Sequence, residues 1–155
     1  MHFRYKFLSL LLVVTFTSCS PAKSGSESKN ASSEYNIAEE QEIFLADSLS
    51  QEEEKYIIFF HSDTCSQCKQ IIEDVKAFAM ENILKTYFLN IAEPTNQVTI
   101  VPIDEITVGV NNVDDLCIAG TPTIIEVENG TTTKNIPGKD KCLTYLNEQR
   151  LENKK

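Results

Sequence analysis

The strongest pattern along the chain is a short apolar run followed at once by residues of helical period. Residues 55–60 are almost continuously apolar and rich in aromatic and β-branched side chains, which predicts a central strand buried on both faces. Apolar residues then recur every three or four positions, which predicts a helix over residues 65–81. The recurring residues are Ile71, Ile72, Val75, Phe78 and Ala79.

Weaker patterns predict the elements around this strand and helix. We expect an amphipathic helix over residues 37–49 and a strand over residues 86–91. Residues 98–103 predict an added strand or loop, and residues 110–117 predict a short helix. The inward side chains of the first helix would be Ile37, Phe44, Leu45 and Leu49.

The last part of the chain predicts a hairpin and a final helix. Asn129-Gly130 separates two strand-like runs, residues 123–127 and 131–136, and this dipeptide favours a two-residue hairpin turn. A helix is expected over residues 139–151. An α/β sandwich with a central mixed sheet accommodates all of these elements.

The candidate chemistry lies where the central strand meets its helix, in the run Cys65-Ser66-Gln67-Cys68. Two thiols at positions i and i+3 of a helix face the same way and can close a small disulfide. The N–H groups and partial positive charge of a helix start favour a thiolate, which is the attacking species in thiol–disulfide exchange. Cys65 is first on the helix, so we expect it to be the more exposed and more acidic thiol.

Two other interpretations of this motif are open: two buried thiols that only pack, or half of a zinc site. A zinc site would need a second closely spaced pair of ligands, and the sequence offers none. The remaining cysteines and the histidines are Cys19, Cys117, Cys142, His2 and His61.

A second motif, Gly120-Thr121-Pro122-Thr123, begins 52 residues after Cys68 and leads into the predicted hairpin. With the order strand, CxxC helix, strand, Thr-Pro loop, hairpin and helix, the sequence resembles the thioredoxin family over about residues 36–152. The segments that carry the resemblance are FFHSDTCSQCKQI and CIAGTPTIIEVENG. The resemblance implies a thioredoxin-like sandwich, with a central mixed β-sheet flanked by helices.

The resemblance also implies roles for individual residues. Cys65 would be the nucleophile and Cys68 the resolving thiol. Pro122 would be a cis-proline that faces the CxxC motif, and Thr121 and Pro122 would support the backbone of the substrate. No cofactor is implied beyond the redox-active disulfide itself.

The chain departs from the thioredoxin pattern at several positions. Thr64 stands where the family has a tryptophan before the first cysteine, and Phe59 stands where it has a buried acid. The stretch between Leu89 and Pro122 is longer than in thioredoxin. In these respects the chain resembles exported thioredoxin-like lipoproteins of bacteria, including those of the bacteriocin transport accessory protein type.

The sequence allows more than one role for four residues near or outside the motif. His61 either exchanges protons with the site or is simply half-buried and hydrogen-bonded. Asp63 either opposes ionisation of Cys65 or caps the helix. Cys117 and Cys142 form a structural disulfide, form a second redox pair, or are two unrelated buried thiols.

The N-terminus has the pattern of an export signal. Arg4 and Lys6 precede an apolar core far shorter than the ~20 residues of a membrane span. Phe16-Thr17-Ser18-Cys19 resembles a lipobox, although Phe16 departs from the usual aliphatic residue, so cleavage by a different peptidase or an uncleaved anchor stays open. We expect a signal peptide over residues 1–18, a lipidated Cys19 with a serine-rich tether over residues 19–36, and one domain over residues 37–155.

Charge narrows the range of partners. The 155-residue chain carries a net charge of −9, and loss of residues 1–18 would remove two basic residues and leave −11. Nucleic acid is a poor partner, because phosphate binding needs clustered Lys and Arg. We expect a monomer that contacts the membrane only through its lipid.

These observations favour an extracytoplasmic, membrane-anchored thiol–disulfide oxidoreductase. Its partners would be the thiols and disulfides of exported proteins and a redox partner in the membrane. One alternative is a non-catalytic accessory factor that binds secreted client peptides. Another is a surface module that binds a metal.

Overall fold

The structure of the protein, a computed structural model, describes residues 41–106 and 108–155. The predicted signal peptide, the lipidated Cys19, the tether and Ile37 lie outside the described residues. In chain order the helices and strands are β1 (Lys55–His61), α1 (Ser66–Glu81), β2 (Lys85–Asn90), β3 (Thr99–Ile100), β4 (Cys117–Ile118), β5 (Thr123–Glu128), β6 (Thr131–Pro137) and α2 (Lys139–Glu152).

Four strands form a mixed sheet in the order β2-β1-β5-β6. β1 is parallel to β2 and antiparallel to β5, and β5 and β6 form an antiparallel hairpin. Because parallel neighbours need a crossover connection, α1 runs back along the sheet between β1 and β2. The predicted α/β sandwich with a central mixed sheet is confirmed.

β1 is the centre of the core and is buried on both faces, as its continuous apolar run predicts. Ile57 and Phe59 face the two helices, whereas Tyr56, Ile58 and Phe60 face the other side of the sheet. None of these five residues has exposed surface. Their burial on both faces fixes the direction in which β1 delivers the chain to α1.

Both long helices pack on the same face of the sheet. α1 contributes Ile71, Val75 and Phe78 to this side of the core, and α2 contributes Tyr145 and Leu146. Helical periodicity predicts the three residues of α1 correctly. No helix in the described residues has the length and apolar character that crossing a membrane requires.

Short segments cover the other face of the sheet in the described residues. Leu45 and Leu49 pack on it from the N-terminal side, and Leu116 and Ile118 pack on it from the segment around β4. β3 pairs in parallel with β4 as a separate two-stranded sheet. The strand or loop predicted over residues 98–103 is thus a two-residue strand with loop on either side.

The turn between β5 and β6 has the geometry that its sequence predicts. Asn129 and Gly130 both have positive φ, 49° and 70°, as a two-residue turn of this kind requires. A Cβ atom at Gly130 would lie 3.0 Å from the carbonyl oxygen of Leu49. Both the backbone angle and the close approach therefore favour glycine.

The amphipathic helix predicted over residues 37–49 is wrong in its described part. Within residues 42–49, helical structure is confined to a single 3-10 turn at Leu45–Asp47. Leu45 and Leu49 are buried as predicted, but Phe44 is 58 % exposed.

Hydrogen bonds to distant residues explain this difference. The Ile43 N–H donates to the Phe88 carbonyl at 3.0 Å, so the chain lies along β2 before the turn. The Leu45 N–H donates to the side-chain oxygen of the buried Asn96 at 2.9 Å. These partners satisfy backbone groups that a helix would otherwise pair locally.

The short helix predicted over residues 110–117 is also wrong. Val113–Asp115 forms one 3-10 turn, which Asn112 caps by accepting the Asp114 N–H at 3.2 Å. Cys117, at the end of the predicted helix, instead begins β4.

Glu126 is a buried carboxylate on the α2-facing side of β5. It accepts hydrogen bonds from the Tyr145 hydroxyl at 2.6 Å, the Thr133 hydroxyl at 2.8 Å and the Lys134 ammonium at 3.1 Å. The Lys55 ammonium lies 3.4 Å away. Burial acts to raise the pKa of Glu126, but the hydrogen bonds outweigh it and hold the pKa below its ordinary value.

Acid should therefore remove the contribution of Glu126 to stability. Because its folded-state pKa is lowered, the contribution is present above the unfolded value near 4.5 and is lost as pH falls through the folded pKa. We expect Glu126→Gln to reduce the free energy of unfolding by about 1–3 kcal/mol at pH 7, and this difference to shrink below pH 4.5. Urea unfolding at a series of pH values measures it, with the exposed Glu128→Gln as control. A difference that is the same at pH 7 and at pH 3 would contradict this account.

Candidate active site

Cys65 lies where the loop after β1 gives way to α1. It is the N-cap residue of α1, with extended backbone angles (φ −77°, ψ 111°). Its Sγ accepts the N–H of Cys68 at 3.0 Å, as a serine or aspartate oxygen does at other helix starts. Because this N–H points at the sulfur, it favours the thiolate over the thiol.

Cys68 lies one turn further and forms a disulfide with Cys65. The two Cα atoms are 5.2 Å apart, within the range that a disulfide requires. Cys65 is half-buried, whereas Cys68 is only 2 % exposed. The structure brings the two predicted cysteines together and leaves Cys65 the more accessible, as the sequence predicts.

Thr121 and Pro122 lie against the cysteine pair. The Thr121 carbonyl oxygen is 3.4 Å from the Cys65 Sγ. The Thr121–Pro122 peptide bond is cis, as the resemblance implies. The Gly138 N–H donates to the Pro122 carbonyl at 2.8 Å and so ties the loop to the start of α2. Two motifs that are far apart in sequence thus share one site.

A cavity of about 320 Å³ opens beside this loop. Its wall contains Val101, Pro102 and Ile103 from the segment after β3, together with Thr121 and Pro122, and no charged side chain. Ile103 is 55 % exposed. The wall offers mainly apolar side chains and backbone groups next to the half-buried Cys65, with Gln67 and Thr121 as its polar side chains.

A second cavity, of about 780 Å³, is lined by both His61 and Cys68. The His61 ring stacks on Phe59, with ring centroids 5.7 Å apart and planes 11° from parallel. Burial lowers the pKa of His61; the Asp63 carboxylate opposes this shift and the Lys76 ammonium adds to it. His61 is therefore neutral near pH 7.

Comparison with known protein families identifies a domain that contains this site. A family model described as a thioredoxin-like domain matches residues 46–141. The chain belongs to this family. The matched range includes both Cys65 and Cys68, as well as Thr121 and Pro122.

Solved thioredoxin structures are similar to this chain at low sequence identity. Thioredoxin f2 from Chlamydomonas reinhardtii is 15% identical with a TM-score of 0.47, over 69% of this chain and 93% of that one. The short form of thioredoxin f from spinach chloroplast is 14% identical with a TM-score of 0.48, over 71% and 92%. Plasmodium falciparum thioredoxin is 18% identical with a TM-score of 0.43, over 70% and 97%. No curated protein matches the chain.

Asp63 does not cap the redox helix of the thioredoxin-like domain, because Cys65 holds that position. Its exposed carboxylate instead accepts a hydrogen bond from the Asn90 amide at 3.2 Å. Asn90 is absent from the residues predicted from the sequence. It ends β2 opposite His61, which ends β1. A polar residue directly after the buried core of a parallel strand is the signal that could have pointed to it.

Cys117 and Cys142 are not joined to each other. Cys142 is a free thiol without exposed surface, and its Sγ donates to the Ile136 carbonyl at 3.3 Å. It lies in the part of the core between the sheet and the helices, whereas Leu116 and Ile118, which flank Cys117, pack on the opposite face. The interpretations as a structural disulfide and as a second redox pair are therefore corrected, since the sheet separates the two residues.

Cys142 should be inert toward alkylation while the protein is folded. Burial raises the pKa of its thiol to about 12, so roughly one thiol in 10⁵ is ionised at pH 7. We expect iodoacetamide to label the reduced pair at Cys65 first, and Cys142 only after urea is added. Peptide mass spectrometry of samples taken over time checks this order. If Cys142 of the folded protein were labelled as fast as Cys65, the description of Cys142 as buried would be wrong.

Proposed function

We propose that this chain is a thiol–disulfide oxidoreductase that acts on the disulfides and thiols of other proteins through Cys65 and Cys68. The observation that carries the proposal is the asymmetry of the pair. Cys65 is half-buried and its sulfur accepts the Cys68 N–H, whereas Cys68 is buried but within disulfide reach. One thiol is thus arranged to attack a partner and the other to complete the exchange.

The reaction proceeds in two displacements. The Cys65 thiolate attacks one sulfur of the client disulfide, and the other client sulfur leaves with the electron pair as a thiolate. The Cys68 thiolate then attacks the Cys65 Sγ, which closes the Cys65–Cys68 disulfide and releases the second client thiolate. The client is reduced by two electrons and the pair is oxidised by two; the reverse sequence oxidises a client dithiol.

The loop of Thr121 and Pro122 is the proposed support for the client. A client sulfur in line with Cys65 places the neighbouring client backbone against this loop, next to the wall of Val101 and Ile103. Because that wall is apolar, we infer a preference for client segments with apolar residues beside the cysteine.

A redox titration tests the proposal directly. The protein is equilibrated with mixtures of reduced and oxidised glutathione, and the fraction of Cys65–Cys68 disulfide is measured by alkylation and mass spectrometry. We expect one two-electron transition that disappears in Cys68→Ser, together with reduction of insulin disulfides in the presence of dithiothreitol. A pair that stays fully reduced or fully oxidised, with no insulin reduction, would overturn the proposal.

The two alternative functions predict other results. If the chain is a non-catalytic accessory factor, a variant with both cysteines replaced by serine would bind client peptides as tightly as the wild type. If it is a metal-binding module, the purified protein would contain stoichiometric metal. Among the described residues, no group of three His, Cys, Asp or Glu side chains is placed to hold a metal ion.

We propose further that the protein is exported and is held at the outer face of the cell membrane by a lipid on Cys19. The support comes from the basic start, the short apolar core and the lipobox-like run before Cys19. There it would act as a monomer of the bacterial accessory type, without a cofactor beyond its own disulfide, and exchange electrons with a membrane redox partner. Mass spectrometry of the mature N-terminus and membrane partitioning of Cys19→Ala test this; an unmodified mature N-terminus elsewhere would refute it.

A further inference from the structure

His61 and the resolving cysteine share one cavity. Cys68 has almost no exposed surface, yet both Cys68 and His61 line the 780 Å³ cavity. Alternation along β1 explains this, because His61 falls on the same face as Ile57 and Phe59, which is the face that α1 covers. The cavity has ample room for water to connect the imidazole with the thiol.

Two aromatic rings fix the orientation of the His61 imidazole. Its ring is nearly parallel to that of Phe59 and stands at 75° to that of Phe88, with centroids 6.4 Å apart in the second pair. Burial of the ring disfavours the imidazolium and lowers the pKa of His61. The ring is therefore a proton acceptor at neutral pH, and its direction is set by packing.

The other ionisable groups of the cavity are less suited to accept a proton from a thiol. The lysines carry only donors when charged, and carboxylates are ordinarily weaker bases than imidazole. Proton transfer is most efficient when the acceptor has a pKa near the working pH. The charged residues that line the cavity are Glu42, Asp63, Lys69, Lys76 and Glu93.

We propose that His61 accepts the proton of Cys68 when Cys68 resolves the mixed disulfide, an inference that rests on the proposed function. The S–H proton passes to a ring nitrogen of His61, and the Cys68 thiolate attacks the Cys65 Sγ. The bond between Cys65 and the client breaks, and the client sulfur leaves with the electron pair. The imidazolium then returns its proton to solvent or to the leaving thiolate, so His61 is neutral again at the end of the cycle.

A chromogenic disulfide separates the two displacements. Reduced full-length protein is mixed in a stopped-flow instrument with 5,5′-dithiobis(2-nitrobenzoate). Attack by Cys65 releases a first thionitrobenzoate at a rate that depends on reagent concentration. Resolution by Cys68 releases a second thionitrobenzoate at a rate that is independent of reagent concentration. This second phase is absent in Cys68→Ser. Reactions of other cysteines depend on reagent concentration and are distinguished in this way.

We expect His61→Gln to leave the first phase within two-fold of the wild type and to slow the second at least ten-fold at pH 7, since general base catalysis typically contributes ~10²–10⁴-fold. In the wild type, the rate constant of the second phase should increase as pH rises through the His61 pKa and then level off. In His61→Gln, this rate constant should keep increasing with pH. Glu93 lines the same cavity, and the control variant Glu93→Gln should keep the wild-type pH profile of the second phase.

A second variant keeps the test valid if His61→Gln does not fold. Asp63 acts to raise the pKa of His61, so Asp63→Asn should move the inflection of the second phase to lower pH. A second phase that is the same in rate and pH profile in wild type and His61→Gln, or an unmoved inflection in Asp63→Asn, overturns the role of His61. Loss of the first phase in the wild type instead overturns the proposed function.

Discussion

Replacing Cys65 with serine is expected to reduce disulfide exchange to the uncatalysed background, a loss on the order of a thousand-fold or more. Removal of the nucleophile closes the only covalent route that the pair provides, and such losses are among the largest that single substitutions produce. Cys68→Ser should behave differently, because Cys65 can still attack but nothing resolves the product. The rate of insulin reduction and the amount of trapped mixed disulfide on non-reducing gels measure the two effects.

The control for this pair of variants is Cys117→Ser. Cys117 lies on β4, outside the disulfide pair, so its replacement should leave exchange within two-fold of the wild type. If Cys65→Ser retained full reductase activity, or if Cys68→Ser trapped no partner, the assignment of attacking and resolving thiols would be wrong.

Truncation of Phe59 is expected to remove a large part of the stability of the domain. Its ring has no exposed surface and packs edge-on against Phe88 at 6.0 Å. Replacing a buried Phe with Ala typically lowers the free energy of unfolding by ~3–5 kcal/mol, and a whole domain has only ~5–15 kcal/mol. Urea unfolding of Phe59→Ala should therefore show a much lower midpoint, with partial unfolding already in buffer.

Phe44→Ala is the matched control, since it makes the same chemical change at a side chain that is 58 % exposed. We expect a change within about 0.5 kcal/mol. The comparison also tests the correction at the N-terminal side of the domain. A loss at Phe44 as large as that at Phe59 would mean that Phe44 packs inward, as the helical pattern predicts.

The parts of the fold that the sequence predicts well are those fixed by local pattern. The continuous apolar run of β1 is buried on both faces, and the periodicity of α1 identifies the residues that pack on the sheet. The Asn129-Gly130 turn follows from backbone preference alone. In each case the residues that decide the structure are close together in the chain.

The parts that it predicts poorly depend on contacts between distant residues. Residues 41–49 have a helical pattern, but the Asn96 side chain and the backbone of Phe88 hold their N–H groups in another arrangement. Nothing near Asn96 in the sequence indicates that its partner lies 51 positions away. Local propensity gives way where such partners are available.

The candidate site divides in the same way. The spacing of Cys65 and Cys68 predicts their pairing, and the thioredoxin resemblance implies the approach of Thr121. The orientation of His61 does not follow from its position before Cys65, since it depends on Phe59 and Phe88 on two neighbouring strands. The contact between Asp63 and Asn90 likewise needs the register of β1 and β2.

Because the Cys68 amide donates a hydrogen bond to the Cys65 sulfur, its NMR signal should depend on the redox state of the cysteine pair. The acceptor of this bond is a disulfide sulfur in one redox state and a thiol or thiolate in the other. A charged acceptor forms the shorter and stronger bond, so the ¹⁵N and ¹H resonances of this single amide should differ between the states. The redox state of the ¹⁵N-enriched domain can then be followed by NMR in a mixture with its unlabelled partners, without a dye or a change to the sequence.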